Sequence, residues 1–417
     1  PRTMNHTVLS TVRSWSGWAF TALALTILGV TSCQEQLTAP AQCPQACPGG
    51  RPVIRDTVLT ALVGGDSSYA GYIISGASLG GVLVSDSLAG LDDRAFMRTL
   101  PLADSVYLAA DSSYHTFATD SVAFSVTVLA HDTTVHGMYL YVYRLPAATD
   151  SGQTFDAVDT LLTPGNLLDS VAVSDTLVSQ TLRLVYFDST LGKVAIPPAD
   201  SGQLALGFRV RASAHTGARL GGIGSGSAVQ ILTTYVTVAG DTDTTTMHQA
   251  LVRAPGYTKF VERSTFAPDP NLLVVGGQDG SRALVRFPFP TYLTDSVVLV
   301  RATLQLTPND TIGGLRGDST AVIASGILAD FGAKSPRFSL TSTTTLTPGS
   351  IDTVGIEVVS QVKVWQTANP AVPYAFMVNL SPEGASFSEP RFRSTRSAGG
   401  APTLRITYQV PFNFERP

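Results

Sequence analysis

Short runs of valine, leucine, threonine, tyrosine and phenylalanine, separated by turn residues, recur along the chain from residue 53 onward. β-Branched and aromatic side chains favour strands, and strict alternation of apolar and polar residues marks a strand with one face in water. Phe208–Arg211 and Ala302–Leu306 alternate in this way. Aspartate followed by serine recurs between the runs, as at Asp120 and Asp295, where the carboxylate starts a turn. The pattern predicts an all-β fold of antiparallel β-sandwich type and no long amphipathic helix.

The chain is long enough for two such sandwiches, and its charge excludes one class of partner. It has 417 residues, a charged fraction of 14% and a formal net charge of −4. The part beyond residue 52 exceeds the usual size of one domain. Nucleic-acid binding needs clustered lysine and arginine, and no basic patch is present. We therefore expect two domains and no nucleic-acid partner.

The second half of the chain repeats the order of motifs in the first half. Asp93–Leu102 parallels Ser281–Phe289, and further matches follow in the same order in both halves. The polar stretch Gly240–Thr246 separates the two copies. This repeat predicts two tandem jelly-roll-like β-sandwich domains, at residues 53–248 and 249–417.

The second copy resembles a known family over roughly residues 265–410. The matching segments are Arg282–Phe287, Val300–Leu306, Ile356–Trp365, Tyr374–Val378 and Phe392–Tyr408. In this order they resemble the DNRLRE modules, extracellular bacterial β-sandwiches of which some are classed with carbohydrate-binding modules. Arg396 departs from the pattern because an acidic residue is common there, and the family's opening segment is poorly matched. The resemblance implies a sandwich for residues 249–417 and a glycan as the first ligand to test.

The N-terminal segment predicts export and lipid attachment. Arg2 and Arg13 precede the apolar run Trp18–Val30, which is short of the about 20 residues that a membrane-spanning helix needs. A positive start, a short apolar run and small residues at its end are typical of a secretory signal. Val30–Cys33 resembles the bacterial lipobox, which implies acylation of Cys33 after cleavage before it. An uncleaved signal anchor is the alternative.

Residues 1–32 are thus predicted to be a lipoprotein signal peptide, and residues 33–52 a flexible tether. The tether is rich in glutamine, proline, alanine and glycine and has no apolar periodicity. Cys43 and Cys47 are expected to form a disulfide or remain as two thiols. A zinc site is the competing interpretation, but no second Cys/His pair lies nearby.

We find no catalytic constellation in the sequence and no strong metal signature. His131 and His136 could share a loop, but water-exposed histidines at strand ends are the commoner outcome. Calcium at a Gly-rich turn containing Asp279 is conceivable and unsupported. We therefore predict no catalytic residue, no metal and no cofactor beyond the acyl chains on Cys33.

Three side chains are candidate ligand contacts. Arg282 and Arg286 occupy alternate positions and face one way, which suits an anion or a sugar, although pairing with a carboxylate explains them as well. Trp365 could stack on a sugar ring, but it ends an apolar, strand-like run, which favours burial.

The sequence therefore favours a non-enzymatic, exported lipoprotein in the periplasm or at the outer membrane or cell surface. Its partners would be a membrane, through the lipid anchor, and a glycan or an envelope protein. One alternative is an accessory subunit of an envelope or membrane complex. Another is a polysaccharide hydrolase or lyase that uses paired carboxylates.

Overall fold

The structure is a computed structural model that describes residues 53–70, 80–88, 90–188, 202–226, 230–241, 247–264, 269–278, 280–295, 297–315, 320–367 and 372–410. Regular structure in these residues is mainly antiparallel β-strand, which confirms the predicted all-β class. Residues 54–410 form one compact unit. No helix in the described part of the chain has the length and apolar character needed to cross a lipid bilayer.

The described elements follow one another in this order. The strands are β1 (Val53–Thr60), β2 (Asp66–Tyr69), β3 (Val82–Asp86), β4 (Leu91–Thr99), β5 (Val106–Leu108), β6 (Ser113–His115), β7 (Phe117–His131), β8 (Tyr139–Leu145), β9 (Leu167–Ala172), β10 (Gln180–Asp188), β11 (Ala205–Arg211), β12 (Thr216–Leu220), β13 (Ile231–Val238), β14 (His248–Arg253), β15 (Pro255–Ser264), β16 (Leu272–Val274), β17 (Arg282–Arg286), β18 (Val298–Leu306), β19 (Thr320–Ile327), β20 (Arg337–Leu346), β21 (Val354–Glu357), β22 (Ala375–Ser381), β23 (Arg391–Arg393) and β24 (Thr403–Val410). The helices are α1 (Phe155–Asp159), α2 (Tyr292–Asp295) and α3 (Val359–Thr367).

Two sheets form what we call the outer sandwich. One has the strand order β1-β24-β18-β21, and the other has the order β2-β17-β22-β19-β20. Their facing sides share one apolar core, to which Leu59, Val285, Leu304 and Phe376 contribute. Along β18 the residues from Ala302 to Leu306 alternate between core and solvent, as the sequence pattern predicts.

Two further sheets form what we call the inner sandwich. Their strand orders are β14-β13-β7-β12-β3, with β10 also on β7, and β15-β4-β11-β8-β9. The core between them includes Phe124 and Phe208, whose rings stack with centroids 5.6 Å apart. The strand pairs β16–β23 and β5–β6 complete the described sheets.

Strand pairing divides the chain differently from the predicted boundary between residues 248 and 249. β1 and β2, near the start of the described chain, pair with β24 and β17 of the outer sandwich. β14 and β15, beyond residue 247, pair with β13 and β4 of the inner sandwich. The inner sandwich is therefore inserted between the second and third strands of the outer one.

A buried carboxylate attaches the early strands to the end of the chain. Asp66 is fully buried and accepts hydrogen bonds from the Thr395 amide (2.6 Å), the Thr395 hydroxyl (2.7 Å) and the Arg396 guanidinium (3.2 Å). Arg396 thus has an acidic partner on β2. This contact links residues that are 330 positions apart.

The segment that ends at Trp365 is helical, which corrects the strand-like reading of the sequence. β21 ends at Glu357, and α3 follows directly. Val358, Val362 and Trp365 are buried at helical spacing on one side of this segment. Valine-rich composition favours a strand locally, but packing against the outer-sandwich core decides the outcome.

Candidate functional site

The solvent-facing side of the sheet β1-β24-β18-β21 carries a surface of interacting polar side chains. Because successive side chains of a strand point to opposite faces, the residues next to the buried Ala302, Leu304 and Ile406 face water. The sheet register places Arg301 opposite Thr407 and Thr303 opposite Arg405. Polar side chains therefore lie side by side across neighbouring strands.

Asp56 on β1 connects the edge strand to its neighbour β24. Its carboxylate accepts a hydrogen bond from the Thr407 hydroxyl at 2.6 Å and one from Arg405 Nη2 at 2.9 Å. The Thr407 hydrogen bond, followed by that of Arg405, lowers the pKa of Asp56. Asp56 is thus a carboxylate at neutral pH, and it orients the Arg405 guanidinium over the sheet.

Glu357 on β21, at the other edge of the sheet, orients a second guanidinium group in the same way. It accepts hydrogen bonds from Arg301 Nε at 3.0 Å, from the Thr303 hydroxyl at 3.1 Å and from the Ala302 amide at 2.9 Å. With these three donors the carboxylate is held in place, and so is the guanidinium that it binds. The two arginines are thereby oriented before any ligand arrives.

A groove of about 440 Å³ runs between these side chains. Ile54, Arg55 and Gln305 line it together with Asp56, Arg301, Thr303, Arg405 and Thr407. The three guanidinium groups of the lining outnumber the carboxylates of Asp56 and Glu357 by one, so the groove carries a small positive charge although the chain as a whole has a net charge of −4. It offers hydrogen-bond donors, hydroxyls and an amide, and its lining has no aromatic ring.

The two arginines predicted as ligand contacts lie on β17, in the other sheet of the outer sandwich. Arg282 forms a two-pronged ion pair with Glu383, through a short Nε–Oε1 contact and an Nη2–Oε2 bond of 3.0 Å. Arg286 forms the same kind of pair with Asp330, at 2.6 and 2.9 Å, and also donates to the Gly65 carbonyl. The structure therefore places each guanidinium against a carboxylate of the same sandwich.

Trp365 lies inside the outer sandwich and does not reach the groove surface. Its side chain is 2% exposed, and its ring centroid is 5.5 Å from Phe289, 5.6 Å from Tyr374 and 4.7 Å from Phe376. An indole enclosed by three aromatic rings serves as a packing element.

The remaining candidate residues do not line the groove or are outside the described residues. Cys33, Cys43, Cys47 and Asp279 are outside the described residues. His131 is buried and bonded to the Leu177 carbonyl, whereas the exposed His136 pairs with Asp175. Within the described ranges, no three side chains of histidine, cysteine, aspartate or glutamate come together as a metal site would require.

The groove residues were not among the sequence-based candidates. Alternation in Ala302–Leu306 indicates one wet face, but it does not say which strands complete that face. The missing strand is β1, which the sequence assigns to the other domain. One feature of the sequence could have indicated the groove. Residues 301–305 and 403–407 both alternate between polar and apolar, and their polar positions carry mainly arginine and threonine.

Comparisons with known proteins give no family for this chain. No protein-family model matches it, and no curated protein is significantly similar to it in sequence. A solved structure of T=1 particles derived from infectious bursal virus aligns with a TM-score of 0.12 and 10% identity, over 87% of this chain and 74% of that one. The Gx strain of infectious bursal disease virus gives a TM-score of 0.12 and 9% identity, over 86% and 77%. Similarity this weak indicates neither a fold nor a function for this chain.

Proposed function

We propose that this chain is a non-enzymatic lipoprotein of the bacterial cell envelope, and that it binds a glycan on the exposed face of the sheet β1-β24-β18-β21. The observation that carries the proposal is the groove with its oriented arginines, threonines and carboxylates. The lipid anchor at Cys33 rests on the Val30–Cys33 lipobox resemblance. Together these features describe a binding module displayed on a tether.

The groove suits a polyhydroxylated ligand because it presents donors and acceptors in alternation. Arg301 uses Nε on Glu357, and no other described residue bonds to its two terminal nitrogens. Arg405 uses Nη2 on Asp56, and Arg55 has no hydrogen-bond partner among the described residues. These N–H groups point to hydroxyl, carboxylate or sulfate oxygens as the ligand atoms.

Binding by such a surface depends on hydrogen bonds, since the groove lining offers no ring for sugar stacking. Guanidinium donors that are already held by carboxylates lose little freedom when they engage a ligand, which strengthens binding. An open groove on a sheet face also accommodates a chain longer than one sugar. We therefore expect an extended polysaccharide as the ligand.

Removing two groove arginines should weaken glycan binding strongly and leave the fold intact. For the double variant Arg55→Ala/Arg301→Ala of residues 53–417, we expect at least a tenfold loss of affinity on a polysaccharide array. The Tm should stay nearly unchanged, because exposed ion pairs contribute about 0–1 kcal/mol. Arg263→Ala is the matched control, since Arg263 forms an exposed ion pair with Asp156 on the inner sandwich. A blank array with the wild type, or equal binding by the double variant, would contradict the proposal.

The lipid anchor has its own test. Cells that make the full-length chain should incorporate radioactive palmitate into it, and Cys33→Ser should remove the label, because the acyl chains are attached through this residue. Mass spectrometry of the purified protein should find Cys33 at the new N-terminus. Unlabelled protein that still carries residues 4–32 would instead indicate an uncleaved signal anchor.

A further inference from the structure

An unusual carboxylate lies where the two sandwiches meet. On β4 the side chains of Leu91, Ala95 and Met97 enter the core of the inner sandwich, and Asp93 enters it with them. Asp93 is fully buried. Carboxylates are rarely buried to this degree unless a cation or several donors accompany them.

Asp93 has two hydrogen-bond partners, and one of them belongs to the other sandwich. The Ser85 hydroxyl on β3 donates to Oδ2 at 2.6 Å. Gln278, in the turn between β16 and β17 of the outer sandwich, donates from Nε2 to the same oxygen at 2.8 Å. The Asp93–Gln278 bond thus connects two residues 185 positions apart, across the junction.

Apolar contacts surround this polar pair. Leu315 and Phe387 of the outer sandwich belong to the core of the inner one. The Phe387 ring lies so close to Gly217 on β12 that a Cβ there would come within 3.1 Å of it. The junction is therefore closely packed, and a charge buried in it is poorly solvated.

The Asp93–Gln278 pair lacks a hydrogen-bond donor. Asp93 Oδ1 and Gln278 Oε1 are both buried and have no hydrogen-bond partner among the described residues. Both atoms are acceptors while Asp93 is ionised, so neither can serve the other. A proton on Asp93 turns Oδ1 into a donor, and an acid facing an amide can form two hydrogen bonds, one in each direction. A proton on Asp93 thus supplies the donor that this group of acceptors lacks.

Among the described residues, no positively charged side chain bonds to the Asp93 carboxylate. The elements packed against β4 carry several other charged side chains. They are Asp86 on β3, Asp92, Arg94 and Arg98 on β4 itself, Arg209 and Arg211 on β11, Lys259, Glu262 and Arg263 on β15, Asp156 and Asp159 on α1, and Glu389 beside the Gly277 turn. Among the described residues, only Ser85 and Gln278 bond to the Asp93 carboxylate; Arg94 instead binds the carboxylates of Asp92 and Asp159. Burial is the main cause that raises the pKa of Asp93 to about 7.

We propose that the Asp93–Gln278 pair is a proton-dependent connection between the two sandwiches, complete when Asp93 carries a proton and weakened when Asp93 is ionised. Ionisation leaves an uncompensated charge and two unpaired acceptors at the junction. The Gln278 Nε2–H group still donates to Oδ2, but the buried charge has no counter-charge bonded to it, and no donor remains for Asp93 Oδ1 and Gln278 Oε1. Junction stability is thereby linked to the pH of the compartment that the protein occupies.

The direction of the pH effect follows from the raised pKa. In the unfolded chain Asp93 titrates near 3.8, whereas in the folded chain its pKa is about 7. Between these values the folded state holds more protons, so the protein becomes less stable as the pH rises through this window. The contribution of Asp93 is fully present below about pH 4 and is lost above about pH 7. Within the window the unfolding constant rises about tenfold per pH unit.

Asp93→Asn supplies the missing donor permanently and cannot ionise. The experiment compares the Tm of the full-length wild type and this variant from pH 5 to pH 8.5. We expect the Tm advantage of the variant to be smallest at pH 5, to grow as the pH rises to about 7, and to stay nearly constant above that. Ser85→Ala is the control: it removes a neighbouring donor but leaves the titrating group, so its pH dependence should persist.

Two direct readouts on the wild type complete the test. The ¹³C shift of the Asp93 carboxyl should titrate with a midpoint near neutral pH. Amide hydrogen exchange at residues 276–278 and 280–281, corrected for the intrinsic pH effect, should accelerate between pH 5 and pH 7 in the wild type and stay constant in Asp93→Asn. The same pH slope of Tm in wild type and Asp93→Asn, or a carboxyl midpoint near 4, would overturn the proposal.

Discussion

Replacing Trp365 with alanine should lower the free energy of unfolding by about 3–5 kcal/mol, the usual cost of removing a buried indole. The side chain is 2% exposed and is enclosed by Phe289, Tyr374 and Phe376, so its loss leaves a cavity that these rings cannot close. Chemical denaturation of the two proteins measures the difference.

Trp365→Phe is the matched control, because it keeps an aromatic ring at the centre of the cluster and should cost clearly less. Glycan binding should be the same in Trp365→Phe and the wild type. A loss of binding in Trp365→Phe without a loss of stability would contradict the packing role and would make the tryptophan a ligand contact after all.

Arg94→Met should cost a similar amount, about 3–5 kcal/mol, because it leaves partly buried carboxylates without their counter-charge. The Arg94 side chain is 1% exposed and donates to Asp159 at 2.5 Å and to Asp92 at 2.7 Å. Its guanidinium carbon lies 5.0 Å from the centre of the Phe155 ring. The expected result is a large fall in the denaturation midpoint with an unchanged m-value.

Arg301→Met provides the comparison for Arg94→Met. Arg301 also pairs with a carboxylate, but its side chain is 69% exposed, so the substitution should cost less than about 1 kcal/mol. The double variant Arg94→Met/Asp159→Leu should recover part of the loss, since it removes the unpaired charge together with its partner. Equal costs for Arg94→Met and Arg301→Met would show that burial does not determine the strength of these pairs.

The class of fold was predictable because its signal is local. Alternation in Ala302–Leu306 depends only on the period of a strand, and the structure reproduces it residue by residue. The partners of each strand were not predictable in the same way. Nothing within β1 indicates that it pairs with β24, because the hydrogen bonds of a sheet are formed by backbone groups that every residue has.

The same distinction applies to the candidate site. The alternate spacing of Arg282 and Arg286 was visible, but their carboxylates, Glu383 and Asp330, lie 101 and 44 residues away. The groove combines Asp56 with Arg405, which are 349 residues apart. A site built from both ends of a chain becomes visible only when the order of strands in the sheet is known.

The insertion of the inner sandwich has a consequence for the order in which the chain can fold during synthesis. The outer sandwich cannot close until β24 is available, because β1 has its described strand partner there. The inner sandwich ends with β15 and can fold much earlier, since domains emerging from the N-terminus first tend to fold as units. β2 and β16 lie next to each other in space, with the Val274 amide bonded to the Ser68 hydroxyl. An already folded insert would hold these flanking segments together, reducing the entropy lost when the two ends of the chain finally meet.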